Sequence, residues 1–204
     1  VGVTPFGGRA RRLGTNPISI GFPNESDEPI VLDFATSMAA EGKLRVYRSR
    51  NEELPDDWVL NESGEPSKDP NDYYNGGSIL PIGGMIGGHK GYALAFMVAM
   101  MGPVLGGLTW PDLYGDITAA GSSIVVIDLS KFVPLDELKN RVGDVVRYVK
   151  DTPTVKGSKG IMYPGEFEST NREQRKKNGV PIEEPTWESI VQLVDEYGLD
   201  TLLS

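Results

Sequence analysis

Gly87-Gly88-His89-Lys90-Gly91-Tyr92-Ala93-Leu94-Ala95 hands a histidine and a lysine to an uncharged run that continues through Met101. The glycines read as a turn and the apolar run as a helix, so the stretch predicts chemistry placed at a helix N-terminus. The first N–H groups of a helix lack internal partners and the aligned peptide dipoles leave partial positive charge there, which favours an anion. Lys90 in a first turn would oppose that dipole by about 0.3–1 kcal/mol. A phosphate or carboxylate held between Lys90 and the free N–H groups removes the cost. The plain alternative is a lysine pointing into water; against it stands His89, the sole histidine of the chain.

A glycine-rich turn suggests phosphate, so nucleotide motifs are the first test. The Rossmann fingerprint begins Gly-x-Gly, and no two of the 25 glycines are separated by a single residue. The P-loop requires Gly-Lys-Ser/Thr, whereas Lys90 stands between His89 and Gly91. What remains is a less common cradle in which Gly83, Gly84, Gly87 and Gly88 let the backbone approach a phosphate and Lys90 supplies charge. A second candidate is Val31-Leu32-Asp33-Phe34-Ala35-Thr36-Ser37, a strand ending in a carboxylate followed by small residues and hydroxyls. Asp33 can accept hydrogen bonds from ribose hydroxyls, and Ala35 permits close approach. Alternatively, Asp33 merely ends the strand and Thr36 caps the next helix. Lys43 adds a second potential anion partner. One histidine with scattered acids such as Asp56, Asp57, Asp69 and Asp72 has no metal-ligand spacing, so no metal is expected, and there is no Gly-x-Ser-x-Gly nucleophile elbow.

Composition narrows the partners. A chain of 204 residues buries roughly 70% of its unfolded surface, enough for a core without staples. A net charge of −9 with no long basic run disfavours nucleic acid and anionic membranes, which leaves small molecules. The absence of cysteine excludes thiol chemistry and is compatible with a reducing cytoplasm. The chain opens on Val1 with neither a signal-peptide core nor transit-peptide character, and reads as cut rather than targeted. Residues 91–111 carry no charge and have the length of a membrane span, but Gly102-Pro103 and Gly106-Gly107 interrupt them. A helix ending near Met101, then a turn and a buried connection, is the expectation.

Along the chain, apolar runs at 18–22 and 30–34 flank a turn-rich segment and predict two strands. Thr36 or Ser37 is expected to cap a helix running through Ala39, Ala40 and Leu44 toward Arg48. Residues 51–88 read as a long ordered loop, with 61–64 as a turn between short extended pieces and Trp58, Tyr73, Tyr74 and Ile79 covering the core. Residues 123–127 read as a buried strand. Pro134 starts a helix bearing Leu135, Leu138, Val142, Val145, Val146 and Val149 at helical spacing. Further helices are expected from Glu166 to Asn178, closed by Gly179, and over 187–197, the last docking on the core.

Gly14-Thr15-Asn16-Pro17, Leu32-Asp33-Phe34-Ala35-Thr36-Ser37 with Gly42-Lys43 following, Gly88-His89-Lys90-Gly91-Tyr92-Ala93-Leu94, and Tyr163-Pro164-Gly165-Glu166 with Gly179-Val180-Pro181-Ile182 occur in that order. Together they resemble the malate/L-lactate dehydrogenase family, which is unrelated to the Rossmann-type lactate dehydrogenases and includes ureidoglycolate, sulfolactate and hydroxycarboxylate dehydrogenases. The resemblance implies an α/β fold, three-layer α/β/α with a mixed sheet, sulfolactate dehydrogenase-like and not Rossmann. It implies a cytoplasmic, homodimeric oxidoreductase that uses NAD or NADP to interconvert a 2-hydroxy acid and a 2-oxo acid. By the same resemblance Asp33, Phe34, Ala35, Thr36, Lys43, His89, Lys90, Gly91, Gly165 and Glu166 contact the dinucleotide. The catalytic histidine of the family lies in an N-terminal portion with no counterpart here. Residues 1–204 are therefore expected to be the cofactor-binding and C-terminal part of a larger dehydrogenase, with the proton-transfer histidine upstream of Val1. His89 matches a cofactor contact rather than the general acid or base. Two other outcomes stay open, a non-catalytic dinucleotide-binding remnant and a cyclic-imine reductase using the same hydride geometry. Arg45, Arg48 or Arg50 could meet a 2′-phosphate, or form a solvated helix face.

Overall fold

The computed structural model describes residues 2–26, 28–108 and 121–199. They fall into two compact units, Val1–Pro164 and Gly165–Ser204.

In the first unit, β1 (Ile18–Phe22) and β2 (Ile30–Phe34) form an antiparallel ribbon, as the two apolar runs and the intervening turn composition predict. Ile18, Ile20 and Phe22 stand opposite Phe34, Leu32 and Ile30, so the ribbon has one apolar face. The next helix, α1, is Glu41–Ser49 with Ala40 at its N-cap and no side-chain cap. Neither Thr36 nor Ser37 caps it: Thr36 Oγ1 is spent on the carbonyls of Thr15 and Asn16, and Ser37 Oγ donates to the Ala39 carbonyl at 2.7 Å. Tertiary hydrogen bonding outcompetes the local cap.

Residues 51–88 contain more regular structure than a loop. A three-stranded antiparallel sheet, ordered β4-β3-β5, is built from β3 (Val59–Leu60), β4 (Pro66–Ser67) and β5 (Ser78–Ile79), with the expected turn at 61–64. Between β4 and β5 lies α2 (Pro70–Tyr74), where Asp69 accepts from Asn71 N–H and Pro70 occupies the first turn. Strands of two residues leave no periodicity to read, which is why sequence alone yields a loop here. Val3 joins this sheet by a parallel bridge to Ile79 and an antiparallel one to Leu13. The core comprises Val3, Leu13, Leu44, Leu54, Val59 and Ile79, with Tyr47 and Trp58 packed edge to face at 5.7 Å. Arg11 clasps it: its Nε donates to the Gly77 carbonyl at 2.7 Å, its guanidinium donates to the Tyr73 carbonyl, and it lies 4.0 Å over the Tyr73 ring.

The long apolar helix, α3, is Gly84–Ala99, and so begins before the His89-Lys90 pair. Gly83, in the left-handed region at φ 98°, is its N-cap; a Cβ there would run into the Gly87 carbonyl carbon and oxygen. Lys90 therefore sits beyond the first turn, where the dipole has faded, and Gly87 and Gly88 are helical rather than a phosphate-cradling loop. The helix passes into a wide π-type turn, Met100–Val104, at Pro103, which has no N–H for an α-helical bond. No helix among the described residues is long and apolar enough to cross a membrane; the end of the uncharged stretch, 109–111, lies outside them.

Residues 123–127 do not form a paired strand, and they are not buried: Ile124, Val125, Val126 and Ile127 are 87%, 74%, 89% and 59% exposed. A β-branched run becomes a strand only against an edge, and none of the described strands offers one to it. Helix α4 (Leu135–Lys150) starts after Pro134 as expected, with Asp136 and Glu137 first and Lys150 last. In the second unit, α5 (Glu166–Asn178) runs from left-handed Gly165 to Gly179, whose N–H donates to the Arg175 carbonyl. The last helix, α6 (Glu184–Tyr197), starts earlier than 187 because Pro185 fits its first turn; Val194 is its buried residue.

Candidate functional site

Of the residues singled out by sequence, Thr36 and Gly91 are brought together, through Ile82, where the chain leaves β2. The Thr36 N–H donates to the Thr15 carbonyl at 2.9 Å. Its hydroxyl, 1% exposed, is shared between the carbonyls of Thr15 and Asn16, 3.0 Å from each. Asn16 adopts φ 38°, which asparagine tolerates better than most residues, and its Nδ2 donates to the Ala95 carbonyl on α3 at 2.8 Å. On the other side of Thr36, the Ile82 N–H donates to the Thr36 carbonyl and Met38 N–H to the Leu80 carbonyl, both at 2.9 Å. Ile82 closes the circuit, since a Cβ on Gly91 would overlap its carbonyl oxygen and come within 2.8 Å of its nitrogen. Only glycine lets α3 lie that close. Segments 14–17, 34–38 and 80–82 and the middle of α3 are thus one hydrogen-bonded knot.

The polar groups at the margin of this knot have a different character. The Asp33 side chain is exposed, its backbone paired with Ser19, and its carboxylate has no hydrogen bond or ion pair among the described residues. Lys90 is likewise exposed and unpaired among them. His89 packs edge to face on Phe6 at 5.7 Å and is otherwise exposed. Phe34 and Ala35 are half-buried on the strand that carries Asp33. Elsewhere along α3, Ile86 and Met97 are 88% and 53% exposed.

Lys43 is not drawn into the knot. Its ammonium stands 5.9 Å from the Trp58 ring centroid, at the limit of a cation–π contact. The 2′-phosphate candidates on α1 are also engaged: Arg45 donates through Nε and Nη2 to Glu41 Oε1, and Arg48 lies 4.7 Å over the Tyr74 ring. Pro164, the last residue of the first unit, accepts from the Val31 N–H at 3.0 Å, so the Tyr163-Pro164 turn reaches the edge of β2. Gly165 and Glu166 open α5 in the second unit. Sequence reasoning did not single out Asn16 as a positioning residue. Its signal was the Asn16-Pro17 pair, turn chemistry whose tertiary target a sequence does not reveal.

Two clefts lie elsewhere. One of about 290 Å³ is lined by Arg48, Asn51, Glu53, Asp69 and Asn71 among others. Another, of about 500 Å³ in the second unit, is lined by Phe167, Arg172, Arg175, Lys176 and Val180 among others. Neither includes Asp33, His89 or Lys90. Among the described residues no cluster of three or more His, Cys, Asp or Glu could hold a metal.

Residues 2–191 match the family model for malate/L-lactate dehydrogenase. Malate dehydrogenase of Pyrococcus horikoshii is 35% identical over 98% of this chain and 57% of its own length. The malate/(S)-sulfolactate dehydrogenase of Methanothermus fervidus is 33% identical over 97% of this chain and 57% of its own. A Δ1-pyrroline-2-carboxylate reductase of Ancylobacter novellus is 33% identical over 88% of this chain and 52% of its own. Among solved structures, malate dehydrogenase of Entamoeba histolytica superposes with a TM-score of 0.83 at 26% identity, covering 97% of this chain and 58% of that one. Sulfolactate dehydrogenase of Methanocaldococcus jannaschii does so at 0.72 and 27%, covering 97% and 56%. The α/β fold is shared with these enzymes, and the chain spans about half the length of the curated relatives it matches.

Proposed function

The chain belongs to the malate/L-lactate dehydrogenase family, and we propose that it is the cofactor-binding and C-terminal part of an oxidoreductase that interconverts a small 2-hydroxy acid and its 2-oxo acid. One observation carries the reading. Motifs far apart in sequence are tied into a single knot by Asn16, Thr36, Ile82 and Gly91, while Asp33 and Lys90 stand unpaired at its margin among the described residues. This donor set fits a dinucleotide, which offers hydroxyls to a free carboxylate and phosphates to a free ammonium.

When bound, the nicotinamide cofactor supplies or accepts the hydride. In this reading Asp33 accepts from ribose hydroxyls, Lys90 and His89 meet phosphate oxygens, and Phe34 and Ala35 form the apolar wall beside them. Thr36 and Gly91 act differently, since the Thr36 hydroxyl is used internally and Gly91 faces Ile82. They hold the binding segment and α3 in place. Gly165, Glu166 and Lys43 are assigned to the cofactor by family resemblance. A free carboxylate at Asp33 repels a 2′-phosphate, and Arg45 and Arg48 are already engaged, so the reading favours NAD over NADP. The proton-transfer histidine of the reaction is assigned to family sequence beyond these 204 residues, and the assembly to a cytoplasmic homodimer.

Calorimetric titration with NADH tests the assignment. Asp33→Asn and Lys90→Ala should each weaken binding at least tenfold without lowering the melting temperature; affinities equal to the parent chain would overturn it. Because one relative is a cyclic-imine reductase, NADH oxidation by the chain joined to the remaining family sequence should be compared on oxaloacetate, pyruvate and Δ1-pyrroline-2-carboxylate. Faster turnover of the imine would replace the hydroxy-acid reading with the second.

A further inference from the structure

Phe6 is a large apolar side chain that the core leaves out. It is 40% exposed and stands apart from the cluster around Val3, Leu13 and Ile79. Its place is nonetheless fixed from three directions. Before it, residues 2–4 run beside β5, where Ile79 N–H donates to the Gly2 carbonyl at 2.9 Å and Thr4 N–H to the Ile79 carbonyl at 3.0 Å. After it, Gly8 N–H closes a turn on the Pro5 carbonyl at 2.9 Å, with Phe6 at the first central position and Gly7, φ 80°, at the second. On its inner side lies α3, since a Cβ on Gly88 would come 3.1 Å from Phe6 Cδ2 and 3.3 Å from Pro81 Cγ. The ring thus rests on the residue just before His89 and meets the imidazole at 5.7 Å with an interplanar angle of 68°.

We propose that Phe6 is a positioning residue for the cofactor: presented on the 5–8 turn, it holds the His89 imidazole in the orientation that meets a phosphate oxygen. The inference rests on the reading of His89 as a phosphate contact. An exposed imidazole turns about two side-chain bonds, and freezing it on binding costs rotamer freedom. An edge-to-face partner at this separation removes part of that cost in advance. The same geometry accounts for glycine at position 88, where a side chain would press on the ring. A plain packing role fits less well, because the ring covers helix backbone at a glycine and stays out of the core.

Calorimetric titration of the parent, Phe6→Leu, His89→Ala and the double variant with NADH tests the coupling. Phe6→Leu should weaken binding threefold or more in the parent and have no effect once His89 is alanine. Because the chain has a single histidine, its imidazole C–H resonances are assigned directly by proton NMR. NADH should shift them in the parent, and that shift should be at least halved in Phe6→Leu. Phe6→Tyr, which keeps the ring, should match the parent in both measurements. Should leucine lower the melting temperature, Phe6→Met enters the same cycle with the same expectation. Equal weakening in both backgrounds would make Phe6 a general support of the fold, and an unchanged affinity or an unchanged NADH-induced shift would remove it from the site; each overturns the inference. If Asp33→Asn and Lys90→Ala weaken binding and Phe6→Leu does not, this inference fails alone. If those two variants bind NADH as the parent does, the cofactor reading itself fails, and a parent chain that binds no NADH would overturn both.

Discussion

Residues 2–108 and 121–164 are both rich in aliphatic side chains, yet they fold to different degrees of burial. The first segment holds Val3, Leu13, Leu44, Leu54, Val59, Ile79 and Ala95 in one core, each at most 3% exposed. In the second, Gly143 is the one buried residue, and Ile124 to Ile127 and Val145 face solvent. Hydrophobicity alone did not decide the outcome. The first segment supplies its own partners through short strands, the Arg11 clasp and the Thr36 knot, whereas the second presents an apolar run and an amphipathic helix without the surfaces that complement them.

The contrast breaks most sharply at Gly91. A methyl group there meets backbone on both sides, the Ile82 carbonyl and nitrogen, neither of which can rotate away. Gly91→Ala should destabilise the chain by about 3 kcal/mol, at the upper end of overpacking costs, or prevent folding. A urea midpoint within the error of the parent would show that α3 is not held against 80–82. Next in size is Thr36→Val, which keeps the shape and removes the hydroxyl donor to two part-buried carbonyls. A loss of about 1–3 kcal/mol is expected, with NADH binding weakened alongside, because Thr36 holds the strand end bearing Asp33. Unchanged stability would mean that those carbonyls find other donors and that the knot is not hydroxyl-dependent.

The two segments also differ in how well they could be read in advance. Strands at 18–22 and 30–34 and the helices after 134 and 166 follow from periodicity and caps, and all are present. The α3 start was not legible, because Gly83, Gly84, Gly87 and Gly88 look like a turn, whereas Gly83 is the left-handed N-cap and the other three are helical, Gly88 packed against Phe6 and Pro81. The same applies to Thr36, whose cap-like position is overridden by Thr15 and Asn16, residues some twenty positions away. Asp33, His89 and Lys90 were identifiable as chemically notable. The linkage of the segments that bear them was not, since it runs through Asn16, Ile82 and Gly91. At 123–127 the sequence describes a strand that finds no partner strand among the described residues.

A smaller effect comes from Tyr73 in the well-buried segment. Burial raises its phenol pKa, with the Arg11 guanidinium opposing that shift. A phenol whose folded pKa exceeds its unfolded value of about 10 stabilises the fold fully below that pH, and the contribution fades as pH rises through the folded value. Stability should therefore fall between pH 9.5 and pH 11, in the range on the order of the phenol pKa, by more in the parent than in Tyr73→Phe. Parallel pH profiles for the two proteins would remove Tyr73 as the cause.

The smallest expected effect lies at Gly143, the mirror image of Gly91. A Cβ on Gly143 also overlaps an oxygen, but that oxygen is Oε2 of Glu25, the end of a flexible side chain paired with Arg147 on the exposed surface of α4. Glu25 can swing aside, forfeiting an ion pair worth about 0–1 kcal/mol. Replacing an interior helical glycine by alanine returns roughly 0.8–1 kcal/mol of helix propensity. Gly143→Ala should thus leave the urea midpoint unchanged or raise it slightly, where Gly91→Ala lowers it severely. The two variants make the same chemical change at two buried helical glycines and differ in whether backbone or a side-chain tip stands in the way. If Gly143→Ala proves as damaging as Gly91→Ala, α4 is locked to the segment bearing Glu25 as firmly as α3 is to 80–82, and the second segment is not the loosely supported half that its exposure indicates.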